Sequence, residues 1–494
     1  MASRLLGILR WVIVKALYAG WVALMIAVPL FGFWLASSLA AFDNAPMWLA
    51  LVVGLLLFPI APVGWELFAM WRAGRREPPR KPVLTGLDRL VLRTLIVNAA
   101  FLGVVMWRVP HTAFRALAVR GDWMLDGHDG PYASQARDTL LAIADDFEHR
   151  WPDNDAAAAS KKYGTSTEPP PPPPPDQRTI VDFAKPIPPK DPNGWPLRAD
   201  PDAIVAAIPD SAQTGVDAVG KFFAERISDK RMLVKALHDY VVLRLHYDIP
   251  TSELTGDAEL SRPSQQPDDV FAARTGVCEG YARLMQALGK AAGLDVAYIT
   301  GVIRDAHRNS GDATTDDAIR AALVGNLHAW NAVKIDGQWL LIDATWDDPV
   351  DRDGGTETLR ETYLFTPPQL FALDHHPTDD AWQLLAKPMS IGEFARQPLM
   401  RPAAGALGLV LEEPMRSQVT ADDGAVKIVF GNPWGAELTA DVVGGDQHCG
   451  TSHDVRVELT CAVPPGQHEI RLFGAKDPAA HELDYVGSIM VNER

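Results

Sequence analysis

The chain reads as an α+β protein with an apolar helical front and an all-β rear. Three observations carry this. Long uncharged stretches are confined to the first 110 residues. A helix-periodic run opens on Cys278, and a strand and a strand pair joined around Asp336-Gly337 follow it. From Gly405 onward, short alternating stretches are separated by Gly and Pro. Periods of 3.6 and 2 residues distinguish the helical from the extended segments. The organisation expected is a membrane region over 1–110, a juxtamembrane helix and Pro-rich linker over 111–199, an α+β domain over 200–404 with the cysteine helix packed on an antiparallel sheet, and a β-sandwich-like domain over 405–494.

Charge divides the same way. Residues 1–120 carry thirteen Lys/Arg against four Asp/Glu, a net +9, which leaves −25 for the rest of a chain whose total is −16. An acidic body argues against nucleic acid as a partner, because phosphate binding needs a basic surface. The basic front is explained by a bilayer. Ala16 to Phe42 and Asn44 to Trp65 are each free of Lys and Arg and long enough to span. Thr94 to Trp107 is a weaker third stretch between Arg93 and Arg108, and spans if those arginines snorkel to the interfaces. Basic residues precede the first stretch and follow the second, from Arg72 to Arg93, which places both on the cytoplasmic side. With the third stretch spanning, the remainder is expected outside the inner (cell) membrane, on the external or periplasmic face.

Gln135 to His149 reads as a short amphipathic helix, with Leu140, Leu141, Ala144 and Phe147 on one side. Pro169 to Pro175 is a run of seven prolines. It can form neither helix nor ladder and is expected as an extended polyproline II spacer. Met232 to Leu245 carries Leu233, Leu237, Tyr240 and Val241 at turn spacing, with His238 as a surface or packing residue. Cys278 to Ala292 carries the stripe Tyr281, Met285, Leu288 and Ala292, and Gly293 ends it. Cys278 thus lies in a helical first turn, where the positive end of the dipole favours a thiolate.

Val296 to Val302 is the next strand, with a polar insertion after it through Asp316-Asp317. Leu327 to Ile335 and Trp339 to Trp346 form a hairpin. A two-residue Asp-Gly turn pairs Ile335 with Gln338. Stepping back along that ladder sets Trp330 opposite Asp343 and His328 opposite Thr345, all four on one face. His328 and Asp343 become diagonal neighbours within reach of an imidazole–carboxylate hydrogen bond. A thiol, a base and an orienting carboxylate are then available as Cys278, His328 and Asp343, the set nucleophilic catalysis needs. Trp330, Trp339 and Trp346 are expected in the core or the cleft wall. His375-His376 hints at metal, but neighbours on an extended strand point apart, so a turn is expected there.

In the C-terminal region, Ala425 to Phe430, Val455 to Thr460, Glu469 to Phe473 and Val486 to Val491 read as strands of a sandwich. Its natural role is as an interaction or substrate-presenting module. Cys449 and Cys461 flank a polar alternating segment, either bridged in an oxidising compartment or left as two unpaired thiols. Their spacing with His453 fits no common zinc pattern, and no cofactor or metal signature is present.

Gly276-Val277-Cys278-Glu279-Gly280-Tyr281-Ala282, His328-Ala329-Trp330-Asn331 and Trp339 through Trp346 resemble the transglutaminase-like superfamily of papain-type folds. Tyr363-Leu364-Phe365-Thr366-Pro367, His376-Pro377, Trp382 to Leu385 and Ile391 to Phe394 are similar to the kyphoscoliosis peptidase branch. The resemblance covers about residues 230–400. It implies a helix-plus-antiparallel-sheet core with Cys278 as nucleophile, His328 as base and Asp343 as orienter. It also implies acyl transfer or hydrolysis on protein or peptide amides through a thioester. A cysteine protease or deamidase is expected ahead of a cross-linker. The Cys278 backbone N–H is a candidate oxyanion donor, with Gln265 or Gln266 as a second. The competing expectation is a non-catalytic membrane scaffold that uses the same fold and the β-domain to bind a protein partner.

Overall fold

The computed structural model describes residues 2–43, 45–75, 84–126, 128, 130–150, 155–164, 194–254, 258, 261–304, 326–348, 359–444, 448–477 and 483–493. The proline run and the polar insertion through Asp316-Asp317 lie outside these residues. The chain divides into two units, Met1–Trp151 and Pro152–Arg494.

In the first unit, Val14–Phe42, Met47–Gly74 and Gly86–Arg108 are long and apolar enough to cross a membrane. The second is interrupted at Phe58, whose extended φ of −151° precedes Pro59. Proline clashes with a helical residue before it and cannot donate to the turn behind it. The third helix begins eight residues earlier than its uncharged stretch suggests. Thr85 and Asp88 cap it reciprocally, each side chain accepting from the other's backbone N–H at 3.1 Å. Arg89 lies 2.9 Å from Glu66 of the second helix, and Arg93 pairs with the same carboxylate. Arg93 is therefore neutralised within the helix pair rather than marking the end of the span. The 23 residues reach about 34 Å at ~1.5 Å each, against ~30 Å of hydrocarbon. Pro131–Arg150 is the expected amphipathic helix, and buried Arg115 pairs with its Glu148 at 2.8 Å.

The second unit opens with α1 (Asp155–Tyr163), followed by α2 (Val216–Ala224), α3 (Lys230–Arg244) and α4 (Cys278–Ala291). After α4 come β1 (Asp295–Ile303), β2 (Asn326–Ile335), β3 (Gln338–Ile342), β4 (Leu364–Thr366) and β5 (His375–Pro377). The five strands form one antiparallel sheet in the order β4-β3-β2-β1-β5. Alternation explains its two buried faces. Val296, Val333, Ile335, Ile342 and Leu364 face one core together with Val219 and Phe223 of α2, Leu237 of α3, and Tyr281, Leu284, Met285 and Leu288 of α4. Ala297, Ile299, Trp330, Ala332, Trp339 and Leu341 face the opposite way, onto Tyr363, Phe371 and Trp382. A fully buried side chain of this size contributes about 1.5–3 kcal/mol, so both faces are strongly specified.

The β2–β3 hairpin has the expected register, with Ile335 opposite Gln338 and Asn331 opposite Ile342. Asp336 and Gly337 have φ of +50° and +86°, the two left-handed residues of a primed turn. The second strand, however, stops at Ile342 instead of running to Trp346. The cause is Asp343: its Oδ1 accepts the Thr345 backbone N–H at 2.9 Å, a local turn that competes with the ladder. The His375-His376 pair is strand β5 rather than a turn, with Val302 opposite His376.

At the rear are β6 (Leu399–Met400), β7 (Val410–Glu413), β8 (Gln418–Thr420), β9 (Ala425–Gly431), β10 (Glu437–Val442), β11 (His448–Ser452), β12 (Arg456–Ala462), β13 (Gly466–Ala475) and β14 (Asp484–Glu493). One sheet runs β8-β14-β13-β10-β11 with β6 added to β14; the other runs β12-β9-β7. Val426, Ile428 and Phe430 from the second interleave with Leu438, Ala440, Ile470 and Leu472 from the first, forming a sandwich core. Cys449 and Cys461 are joined in a disulfide between β11 and β12.

Candidate active site

Cys278 is the first residue of α4, and Val277 before it is extended with φ −93° and ψ −179°. Gln265 shapes this entry: its Oε1 accepts the Val277 N–H at 2.9 Å, and its Nε2 donates to the Pro263 carbonyl at 3.2 Å. Gln265 thus holds the turn into α4, with its amide group committed to backbone. The α4 N-terminus is also locked to the sheet. Asn331 Nδ2 donates to the carbonyls of Ala282 and Ala297, both at 3.0 Å, and no feature of the sequence pattern pointed to this role.

The structure brings Cys278, His328 and Asp343 together. His328 Nε2 is 2.6 Å from Asp343 Oδ2. The Cys278 side chain acts on the same imidazole and favours its charged form. Nε2 is taken and Nδ1 makes no hydrogen bond among the described residues, which leaves Nδ1 as the ring atom open to the thiol. Asp343 is fixed at both oxygens, Oδ1 by Thr345 and Oδ2 by two imidazoles. The second imidazole is His375, whose Nε2 lies 3.0 Å from Asp343 Oδ2 and whose Nδ1 lies 2.6 Å from Asp374 Oδ1. Asp374 in turn accepts from Tyr363 Oη at 2.7 Å and Arg401 Nη1 at 3.2 Å. Beyond Asp343 the contacts therefore run three links further, through His375 and Asp374 to Tyr363 and Arg401. His375 was legible only as half of a histidine pair; its role needed the β1–β5 pairing.

Aromatic rings enclose these imidazoles. His375 meets Phe371 at 4.1 Å, Trp346 at 4.7 Å and Trp330 at 5.1 Å between ring centroids. Gly301 opens the space for Trp330: a Cβ there would lie 2.5 Å from the indole and 2.2 Å from the His376 carbonyl. In this dry setting the charges set each other. Burial opposes protonation of His328, but Asp343 and Cys278 outweigh it and raise its pKa to about 9. Burial likewise penalises the Asp343 carboxylate, yet His328 and then His375 hold its pKa well below the usual carboxylate range. An imidazolium poised beside the thiol is the state that favours a thiolate. His328, Asp343 and His375 also offer ligand atoms within 4.8 Å of one another. Both Nε2 atoms aim at the same carboxylate oxygen, which is the pattern of two donors and one acceptor rather than of lone pairs converging on a cation.

A second buried cluster braces the loop after Asp343. His238 is fully buried, not a surface residue, with Nε2 3.3 Å from Asp347 and Nδ1 3.6 Å from Asp239. Lys235 pairs with Asp239 at 2.8 Å and with Glu361. Asp347 also accepts the Tyr363 N–H at 3.0 Å, and Asp348 accepts from Tyr281 Oη. Burial opposes charge on His238, yet Asp239 and Asp347 raise its pKa to about 9. Burial raises Glu361 to about 7 against the pull of Lys235.

These shifts fix the sign of the pH dependence. His328, His238 and Glu361 all have folded values above their ordinary 6.5, 6.5 and 4.5, so each adds stability at low pH that is lost as pH rises through the folded value. Asp343 runs the other way, contributing above its ordinary 3.8 and losing that only as pH falls below it. The melting temperature is expected to peak near pH 4 to 5 and fall steadily toward pH 9. A flat or rising melting temperature from pH 6.5 to 9, followed by differential scanning fluorimetry, would contradict this assignment.

Part of the chain is similar to known proteins. Residues 221–344 match the model of the transglutaminase-like superfamily. The chain is 24% identical over 286 residues to the kyphoscoliosis peptidase of Homo sapiens, covering 56% of this chain and 41% of that protein. It is 28% identical over 171 residues to hillarin of Drosophila melanogaster, covering 32% and 19% respectively. The chain thus spans less than half the length of these relatives. Among solved structures, a putative cysteine protease from Cytophaga hutchinsonii is 21% identical, covering 33% of this chain and 44% of that one, with a TM-score of 0.20.

Proposed function

We propose that the protein is a membrane-anchored thiol enzyme that cleaves or transfers amide acyl groups of proteins or peptides, a reading supported by the match of residues 221–344 to the transglutaminase-like superfamily. One observation carries the reading: His328 gives Nε2 to Asp343 at 2.6 Å and leaves Nδ1 to Cys278. In the mechanism this supports, Cys278 Sγ attacks the amide carbonyl as Nδ1 holds the thiol proton. The tetrahedral intermediate then collapses, the C–N bond breaks, and His328 delivers that proton to the departing nitrogen. The thioester left on Cys278 is released by water, with His328 now acting as base. An amine in place of water would give transfer instead. Asp343 keeps Nε2 protonated throughout, so that Nδ1 is always the working atom. The Cys278 backbone N–H, at the start of α4, serves the oxyanion.

Hydrolysis is favoured over cross-linking, in keeping with a relative named as a peptidase. Placement of this unit on the external side of the cell membrane is supported by the Cys449–Cys461 disulfide, which persists in oxidising compartments. It is supported too by the three candidate spans among the described residues, an odd number, after a basic N-terminus.

The test is trapping. Full-length protein in detergent, mixed with glutamine-containing peptides and acid-quenched, is expected to carry a hydroxylamine-sensitive acyl adduct on Cys278 by mass spectrometry. A library of such peptides that leaves Cys278 unmodified, while iodoacetamide still alkylates it, would remove the proposal.

A further inference from the structure

The nucleophile is sealed. Cys278 is 1% exposed and His328 is fully buried, although an acyl donor must reach both. What covers Cys278 is Tyr163, the last residue of α1, 8% exposed and packed with Cys278, Ala282, Tyr298 and Ala329, with Leu327 at the margin. The main chain is gripped there as well. The Tyr163 carbonyl accepts from Arg283 Nη2 at 2.7 Å and from Tyr298 Oη at 3.1 Å. Its phenol donates to the Leu327 carbonyl at 3.3 Å, and Ser160 Oγ lies 3.3 Å from Thr300 Oγ1. Ala159 is fully buried on the same face of α1.

These groups form a built binding site. Arg283 is held ready by Glu279 at 2.8 Å, and Glu279 is braced in turn by Arg262 at 2.5 Å. Its guanidinium also lies 4.7 Å from the Tyr298 ring, which fixes both donors relative to each other. Two preorganised donors aimed at one backbone carbonyl, beside a pocket for a ring, are what holds a peptide chain in register next to a nucleophile. The carbonyl is a helix-terminal one without an intrahelical partner, so any peptide carbonyl would satisfy these donors equally well.

We infer that the groove lined by Ala282, Arg283, Tyr298, Leu327 and Ala329 is the acyl-donor site for a peptide segment presenting an aromatic ring, and that α1 is its resident occupant, which substrate must displace. The inference rests on Cys278 being the nucleophile proposed above. It makes Arg283 and Tyr298 the residues that grip the donor backbone, and the small side chains Ala282 and Ala329 the ones that admit the ring.

The experiment follows alkylation of Cys278 by iodoacetamide in the full chain, where the other two cysteines are bridged. Tyr163→Ala and Ala159→Arg, which undo the plug from two different positions, are expected to speed alkylation at least about tenfold, the scale of losing one aromatic anchor. Tyr163→Phe keeps the ring and should stay near the parent rate. A free peptide with the sequence of residues 155–164 should slow alkylation of the Tyr163→Ala protein, and the same peptide with alanine in place of the tyrosine should not. Equal alkylation rates in the parent and both opened variants, each shown folded by its melting curve, would overturn the occupant. Equal protection by the two peptides would overturn the aromatic preference. Because alkylation needs only an accessible thiol, the two readings separate. An opened Cys278 with no amide turnover would sink the enzyme and with it the acyl-donor role, while the occupancy of the groove by α1 would stand. Turnover by the parent as fast as by the opened variants would do the reverse.

Discussion

Replacing Cys278 with alanine is expected to abolish amide turnover, a loss of at least about 10⁴-fold, while leaving the melting temperature within a few degrees of the parent. The size follows from the role: without sulfur no covalent intermediate forms, and His328 and Asp343 retain nothing to activate. The modest stability effect follows from the site. Cys278 is buried at the first turn of α4 in a small cluster, so losing one sulfur atom leaves a minor void. Initial rates on a fluorogenic peptide amide, beside a melting curve, check both halves. Full turnover by Cys278→Ala would mean that the fold acts as a scaffold and that its triad is vestigial.

Asp343→Asn should be nearly as damaging, with kcat reduced roughly 10³- to 10⁴-fold. The amide is almost the same shape, so the fold should survive. What fails is the proton arrangement. Oδ2 now receives two imidazole N–H groups, from His328 at 2.6 Å and His375 at 3.0 Å. If the asparagine places its NH₂ there, His328 flips to the other tautomer and presents N–H, rather than a lone pair, to the thiol. The loss should therefore fall on kcat with KM little changed, and the alkaline limb of the rate profile near pH 9, set by His328, should move to lower pH. An unaltered alkaline limb would mean that His328 owes its charge to something other than Asp343.

How much of this was visible in the amino-acid order depends on the distance over which each feature is determined. The Asp336-Gly337 turn fixes the β2–β3 register locally, so the approach of His328 to Asp343 could be read two residues at a time. The α4 boundary was equally local, set by an inward stripe and by Gly293 at φ +78°. The end of β3 was misplaced because a side chain, Asp343 Oδ1, takes a backbone N–H that alternation alone assigns to the ladder. The third apolar helix was underestimated because charge was counted residue by residue, whereas Arg93 is matched by Glu66 twenty-seven positions earlier. His375 and Tyr163 were out of reach for a similar reason. Their partners lie 32 and 120 or more residues away, and only the assembled sheet makes them neighbours.

The short loop after β3 has a consequence for how this protein can change. Asp343, Asp347 and Asp348 are each claimed by a different element: His328 and His375 of β2 and β5, His238 of α3, and Tyr281 of α4. The loop behaves as a keystone, at which four elements lean on one hexapeptide. Many enzymes gain activity by loosening the region around their chemistry, at some cost in stability. On the proposed function that route is closed, since whatever slackens α3 or α4 also lets the carboxylate behind His328 wander. Variants selected for thermal tolerance alone would be expected to keep this loop and its four claimants intact, so robustness and competence should be inherited together.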